Sequence, residues 1–236
     1  MTLTLDYVKA KSASRLSGLH PVVRQATERL IERSFAAGVP ILITQGLRTI
    51  AEQDALYAQG RSKPGNIVTN ARGGYSNHNF GVAIDFALLL PDGRSVSWDT
   101  LRDGDKDSLP DWSEVVDIAK SLGLDWGGDW RSFKDMPHLE MTFGLTTAQY
   151  RAGKQPTETA MAKALAVINK EDDSMQEALA KLTMRVSDLE AAAKRVPAPK
   201  WFVAEFGSGD LGGVISEPEF TLGEWRVLAV GLRVNK

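Results

Sequence analysis

Two histidines and two aspartates in this chain have the types and spacing needed for metal chemistry. His78 lies seven residues before Asp85, and Asp135 lies three residues before His138. If the chain turns at Gly81 and continues as a strand, the first pair comes together and His138 supplies a third ligand. Three nitrogen and oxygen ligands leave one position open on a tetrahedral Zn²⁺, as in catalytic sites. We therefore predict one Zn²⁺ per chain, with Asp135 acting on a water and not on the metal.

The alternative for each histidine–carboxylate pair is a surface ion pair or a satisfied group in the core. The chain has only three histidines. Two of them lie near a carboxylate with small or turn-forming residues beside them, which favours the metal site. The third, His20, precedes Pro21 and is predicted to be a helix cap or a surface residue.

The residues around these positions form separate motifs that occur together in a known family. The pattern S-x-H-x-x-G-x-A-x-D is complete at 76–85, and D-x-x-H follows at 135–138. An R-x-x-x-x-Q-x-x-L-Y run stands at 48–57, and GGDWRSF at 127–133. Together they resemble the LAS-type zinc peptidases, in particular the phage L-alanyl-D-glutamate peptidase (endolysin) branch, which is related to D-Ala-D-Ala carboxypeptidases. The resemblance covers roughly residues 15–150.

The resemblance implies a role for five residues. His78, Asp85 and His138 would be the Zn²⁺ ligands, and Asp135 the general base. Arg48 would stabilise an oxyanion or bind a substrate carboxylate. From its position alone, a salt bridge at the start of a helix is the alternative for Arg48.

Three further polar residues are candidates for the same site. Ser76 and Gln53 are expected to bind substrate, although Ser76 can also brace a metal ligand. Glu140 lies two residues after His138, so both point to the same face of a strand. Glu140 can therefore orient His138 or replace Asp135 as the base. Two tryptophans that flank the Gly-Gly turn either line the cleft or pack in the core: Trp126 and Trp130.

The resemblance implies an endolysin that cleaves the L-Ala–D-Glu bond of peptidoglycan stem peptides. The alternatives are a D-Ala-D-Ala carboxypeptidase with the same metal site and a non-catalytic zinc-containing binding module. Residues 1–10 contain Asp6 and no apolar segment, unlike a secretory signal peptide. We expect synthesis in the cytoplasm and action on the cell wall after holin-type release.

Composition excludes several other classes. The chain of 236 residues is 43% hydrophobic and 25% charged, as in ordinary globular proteins. Its net charge of -2 gives no reason to expect nucleic acid as a partner, and no apolar run is long enough to span a membrane. Without cysteine, neither disulfides nor thiolate metal ligands are available.

Hydrophobic periodicity and turn residues predict an α+β fold whose small antiparallel sheet carries the metal. The predicted helices are 20–37, 50–59 and 111–122, the strands 40–44, 82–89 and 137–143, and the loops 61–74 and 99–110.

Three domains are predicted along the chain. Residues 1–153 form the catalytic domain, and 154–196 a helical linker with a possible coiled-coil seam for self-association at 175–193. Residues 197–236 form a small module with a faint resemblance to S-layer-homology repeats, which would bind a secondary cell-wall polymer. The alternative is that its aromatic residues only form a small core.

Overall fold

The computed structural model describes residues 3–234, leaving out the side chains of residues 171–178 and 192. The chain divides into two compact units, Met1–Lys170 and Glu171–Lys236. The first unit combines helices with a small antiparallel sheet, which confirms the α+β class. Its helices are α1 (Leu5–Leu16), α2 (Pro21–Ala36), α3 (Ile50–Ala58), α4 (Asp111–Ser121) and α5 (Thr147–Arg151). Its strands are β1 (Ile41–Gln45), β2 (Ala83–Leu89), β3 (Val96–Ser97), β4 (Asp125–Trp126) and β5 (His138–Glu140).

The sheet is antiparallel and brings distant segments side by side. Its strand order is β1-β2-β5-β4, with β3 also paired to β2. In this register Asp85 on β2 lies directly across from His138 on β5. Residues opposite each other in adjacent strands have side chains close enough to interact. The pairing of β2 with β5 therefore joins two parts of the predicted site that are far apart in sequence.

Successive side chains along β2 point alternately to the hydrophobic core and to the predicted site. Ile84 and Phe86 are fully buried in the main hydrophobic core, and the Phe86 ring lies 4.5 Å from that of Trp112 on α4. Burying side chains of this size contributes about 1.5–3 kcal/mol each. Because successive strand residues point to opposite faces, this packing directs Asp85 away from the core. The same hydrophobic contacts that hold β2 therefore fix the direction of a predicted ligand.

The predicted helix starts are confirmed. Thr49 and Glu52 form a reciprocal capping box at the start of α3. His20 caps α2, where its Nδ1 accepts a hydrogen bond from the Val22 amide at 3.3 Å. His20 is thus a capping residue, as its position before Pro21 predicts.

The linker helix begins inside the first unit and not after it. Helix α6 (Glu158–Ala193) runs without interruption from the first unit into the second. Its Ile168 is fully buried in the main core, so the expected boundary at 153 is corrected to 170. Burial of an apolar face holds these first turns on the domain. Three further α6 residues pack there: Met161, Ala164 and Leu165.

The second unit has a small core of its own. It contains β6 (Val196–Pro197), α7 (Lys200–Phe206), β7 (Glu219–Phe220) and α8 (Leu222–Val234). Phe202, Trp225 and Ala229 are fully buried there. Phe206 and Phe220 pack against this core, whereas Trp201 is 40% exposed. Wall binding remains a prediction. Among the described helices of the chain, none has the length and apolarity to cross a membrane.

Candidate metallopeptidase site

The three predicted metal ligands converge on one point. His78 Nε2 lies 3.2 Å from Asp85 Oδ1 and 3.2 Å from His138 Nδ1, and His138 Nδ1 lies 3.3 Å from Asp85 Oδ1. Ligand atoms about 2.0–2.1 Å from a tetrahedral Zn²⁺ lie about 3.3–3.4 Å apart. The nearly equilateral triangle in this structure therefore has the size that one Zn²⁺ requires.

Local backbone geometry places His78 beside Asp85. His78 lies in a 3₁₀ turn (Asn77–Phe80) that ends at Gly81, where φ is +66°. A Cβ at Gly81 would lie 2.6 Å from the Gly18 carbonyl oxygen. Glycine allows both the positive φ and the close approach of the Gly18 carbonyl because it lacks a side chain. The predicted turn at Gly81 is confirmed, and it reverses the chain so that β2 returns past His78.

Hydrogen bonds on the outer side of each imidazole determine which nitrogen faces the triangle. His78 Nδ1 lies 2.9 Å from the Gly46 carbonyl oxygen, an acceptor, so this nitrogen carries the proton. His138 Nε2 lies 2.8 Å from Glu140 Oε2. With both protons directed outward, His78 Nε2 and His138 Nδ1 present lone pairs to the same point. Such outer partners orient metal-binding histidines and raise their basicity.

The site attracts positive charge. Burial raises the pKa of Asp85, but the two histidines outweigh burial and hold that pKa well below its usual range. Burial lowers the pKa of His138, but Asp85 and Glu140 outweigh this effect and raise it to about 9. The same carboxylates stabilise any cation at this point, whether a proton or a divalent metal. The electrostatics and the ligand geometry therefore both favour a bound cation at the triangle.

The triangle opens into a cleft of about 480 Å³. Arg48, Ser76 and Asp135 line this cleft together with the three ligands. Burial, and then the charge of Asp85, raise the pKa of Asp135. A raised pKa suits a carboxylate that must accept and release a proton near neutral pH.

A tight turn holds Asp135 at the wall of the cleft. Its amide donates to the Gly127 carbonyl at 3.2 Å, and its carbonyl accepts from the His138 amide at 3.2 Å. A Cβ on Gly127 would lie 2.5 Å from the Asp135 carbonyl oxygen. The Gly-Gly turn at 127–128 therefore allows the base candidate to approach β5 closely.

Gln53 does not lie where substrate could reach it, which corrects that prediction. It is fully buried, and its Oε1 accepts from Arg48 Nη1 at 2.8 Å while its Nε2 donates to the Ala71 carbonyl at 2.8 Å. Arg48 also approaches Asp85 Oδ2 at 3.5 Å. Gln53 therefore holds Arg48 in place. The carboxylate that pairs with Arg48 belongs to Asp85, a candidate metal ligand.

Glu140 and the two tryptophans take distinct positions. Besides meeting His138, Glu140 Oε2 accepts a hydrogen bond from Asn77 Nδ2 at 2.7 Å. This geometry favours the orienting role of Glu140 over the base role. Trp130 lines the cleft with its ring 5.0 Å from that of His138, whereas Trp126 packs against the core.

Sequence reasoning did not identify two groups of this site. One is Asn77, which lies inside the S-x-H motif at a position that the motif leaves variable. The other is the backbone carbonyl of Gly46, which no side-chain pattern reveals. Both act through hydrogen bonds to residues distant in sequence.

Two imidazoles and one carboxylate at the edge of a cleft, with a second carboxylate nearby, are the groups of a mononuclear metallohydrolase site. Two family models, both described as D-alanyl-D-alanine carboxypeptidase, match residues 69–141 and 16–100. The chain is 56% identical over 125 residues to the peptidoglycan L-alanyl-D-glutamate endopeptidase CwlK of Bacillus subtilis, covering 53% of this chain and 74% of that protein.

A phage protein and a solved structure are also similar. The L-alanyl-D-glutamate peptidase of Listeria phage A118 is 30% identical over 162 residues, which are 65% of this chain and 52% of that protein. The crystal structure of the Serratia marcescens L-Ala D-Glu endopeptidase ChiX is 27% identical, with a TM-score of 0.42 over 57% of this chain and 89% of that one. The chain belongs to the LAS-type peptidase family, which includes D-Ala-D-Ala carboxypeptidases and L-alanyl-D-glutamate endopeptidases.

Proposed function

We propose that this chain is a zinc-dependent endopeptidase that cleaves the L-Ala–D-Glu bond of peptidoglycan stem peptides. The observation that carries the proposal is the 3.2–3.3 Å triangle of His78, Asp85 and His138 at the edge of the cleft. The 56% identity to an L-alanyl-D-glutamate endopeptidase supports the choice of bond.

The three ligands fit Zn²⁺ in number, atom type and separation. When bound, Zn²⁺ supplies a Lewis acid and lowers the pKa of water towards about 7. Asp85 contributes one negative charge, and each imidazole contributes the lone pair left by its outward hydrogen bond. Neutral imidazole and ionised carboxylate are the forms that bind metal.

Asp135 is the general base of the proposed reaction. It takes the proton of the attacking water and passes it to the nitrogen of the leaving amine, so the proton is conserved. Proton transfer by a positioned side chain contributes roughly 10²–10⁴-fold in rate. The lining of the cleft by Asp135 and its raised pKa support this assignment.

Arg48 stabilises the oxyanion that forms at the attacked carbonyl. Its guanidinium lines the cleft and is held by Gln53, so it needs little rearrangement when charge develops. Removing one such donor elsewhere costs about 10²–10³-fold in turnover. Ser76, which is half-buried at the wall of the cleft, is assigned to a polar group of the substrate.

Mass spectrometry of digested peptidoglycan tests the bond. We expect new L-Ala carboxyl ends and new D-Glu amino ends, both absent with the Asp135→Asn variant. A D-Ala-D-Ala carboxypeptidase is the second candidate, because both matching family models have that description. Release of free D-Ala, with intact L-Ala–D-Glu bonds, would establish that alternative.

The second unit is proposed to attach the enzyme to a secondary cell-wall polymer. It has its own core and a shallow, mainly apolar groove of about 610 Å³ along α8. The 175–193 seam is proposed to mediate self-association, although it falls partly on residues whose side chains lie outside the described set. Its described leucines are exposed: Leu179, Leu182 and Leu189.

A further inference from the structure

The loop before α4 and the first turn of α4 carry a second set of acidic residues with regular spacing. Asp103, Asp105, Asp107, Asp111 and Glu114 occupy positions 1, 3, 5, 9 and 12 of a twelve-residue segment. These are the side-chain ligand positions of the EF-hand calcium loop, in which the glutamate at position 12 is bidentate and position 7 contributes a carbonyl. Most of this segment lies in the loop predicted at 99–110.

The fold brings these carboxylates together. Oxygen atoms of Asp103, Asp105 and Asp111 lie within 4.8 Å of one another, and so do those of Asp105, Asp107 and Glu114. Asp105 belongs to both groups, so the five side chains form one cluster. Ser108 stands where the EF-hand has an invariant glycine, and its φ of +78° is the left-handed conformation that glycine favours there.

An unsatisfied carboxylate oxygen points to a ligand at this cluster. Glu114 Oε2 is fully buried and, within the described part of the chain, has no hydrogen-bond partner. Burial and the neighbouring aspartates raise the pKa of Glu114 to about 7. Leaving a buried carboxylate oxygen without a partner is costly. A cation bound by this oxygen and by the aspartates would remove that cost.

The Asp111 carboxylate already has partners within the protein. Its Oδ1 accepts from the Gly104 amide at 2.7 Å, and Arg102 Nε lies 3.5 Å from its Oδ2. This agrees with position 9 of the EF-hand, which often contacts calcium through water. Asp111 also begins α4, whose Trp112 is buried against the core. A cation here would therefore tie the loop to the folded domain.

The cluster is separate from the zinc triangle, since none of its five residues lines that cleft. Oxygen-only ligands select hard cations, and flexible loops with many carboxylates favour Ca²⁺ over the smaller Mg²⁺. We propose that residues 103–114 form a Ca²⁺ site that stabilises the catalytic unit.

Calorimetric titration of the zinc-loaded full chain with CaCl₂ tests the proposal. We expect one Ca²⁺ per chain with a Kd of roughly 10⁻⁶–10⁻³ M, and weaker Mg²⁺ binding. At 100 times the Kd, Ca²⁺ should raise the Tm by about 5–10 °C. Glu114→Gln keeps the shape of the side chain but removes its charge, and it should weaken Ca²⁺ binding at least about tenfold.

Matched variants separate Ca²⁺ binding at this cluster from Ca²⁺ binding elsewhere on the chain. Asp117→Asn removes one exposed charge from the same helix, outside the cluster, and should bind Ca²⁺ like the parent chain. His138→Ala should lose the zinc site and keep Ca²⁺ binding, so the result does not depend on the proposed peptidase activity. No binding at about 10 mM Ca²⁺, equal binding by Glu114→Gln, or loss of binding in His138→Ala would each overturn the proposal.

Discussion

The Glu140→Gln variant tests whether Glu140 orients the candidate ligand His138 or transfers the proton. Glu140 Oε2 lies 2.8 Å from His138 Nε2 and 2.7 Å from Asn77 Nδ2. Glutamine has the same shape, and its carbonyl oxygen can accept both hydrogen bonds, so only the negative charge is lost. Loss of such an outer partner typically lowers metal affinity 10–100-fold, or about 1.4–2.8 kcal/mol at 1.4 kcal/mol per tenfold.

The assay measures zinc affinity and turnover separately. Zinc Kd is obtained by competition with a chromogenic chelator, and kcat from release of new amino ends at increasing zinc concentration. We expect Glu140→Gln to require about 10–100-fold more zinc and to recover most of its kcat at saturation. Asp135→Asn should show the reverse, with parental zinc affinity and a kcat lowered by roughly 10²–10⁴.

Asp125→Asn is the matched control for lost charge. Asp125 is exposed and lies across from Glu140 in the pairing of β4 with β5, but it is not one of the partners of His138. We expect unchanged zinc affinity in this variant. If Glu140→Gln kept parental zinc affinity and lost turnover that zinc could not restore, the orienting role would be refuted and Glu140 would become the base.

Three other perturbations have defined outcomes. His78→Ala should abolish both stoichiometric zinc by elemental analysis and activity, and full zinc content would contradict the ligand assignment. Gln53→Leu should leave zinc content unchanged but lower kcat about tenfold or more, because Arg48 loses its 2.8 Å partner; a parental kcat would remove the positioning role. Truncation after residue 170 should preserve cleavage of soluble stem peptides and weaken sedimentation with intact walls, and undiminished sedimentation would exclude wall binding by the second unit.

Much of the fold follows from local patterns. The predicted helices 20–37 and 50–59 begin in the structure at Pro21 and, after the capping box of Thr49 and Glu52, at Ile50. Gly81 marks the turn that returns the chain past His78. The predicted boundary at 153 differs from the division at 170, because residue composition along α6 does not reveal that Ile168 is buried in the main core.

Substrate contact could not be judged from residue type. Gln53 is a polar residue in a family motif, and the sequence assigns it to the substrate. In the fold its side chain is sealed between Arg48 and the Ala71 carbonyl. Whether a polar side chain faces a cleft or the interior depends on segments that pack over it, and residues 69–71 do so here.

Residue types in short motifs predict the three candidate ligands, the nearby aspartate and the class of chemistry. Long-range contacts in the fold select which nitrogen of each imidazole faces the candidate metal position, and they direct Asn77 and Gln53 to other side chains. The contacts responsible join residues 32 positions apart for His78 with Gly46 and 63 apart for Asn77 with Glu140. Strand pairing and core burial create such contacts, and no local spacing encodes them.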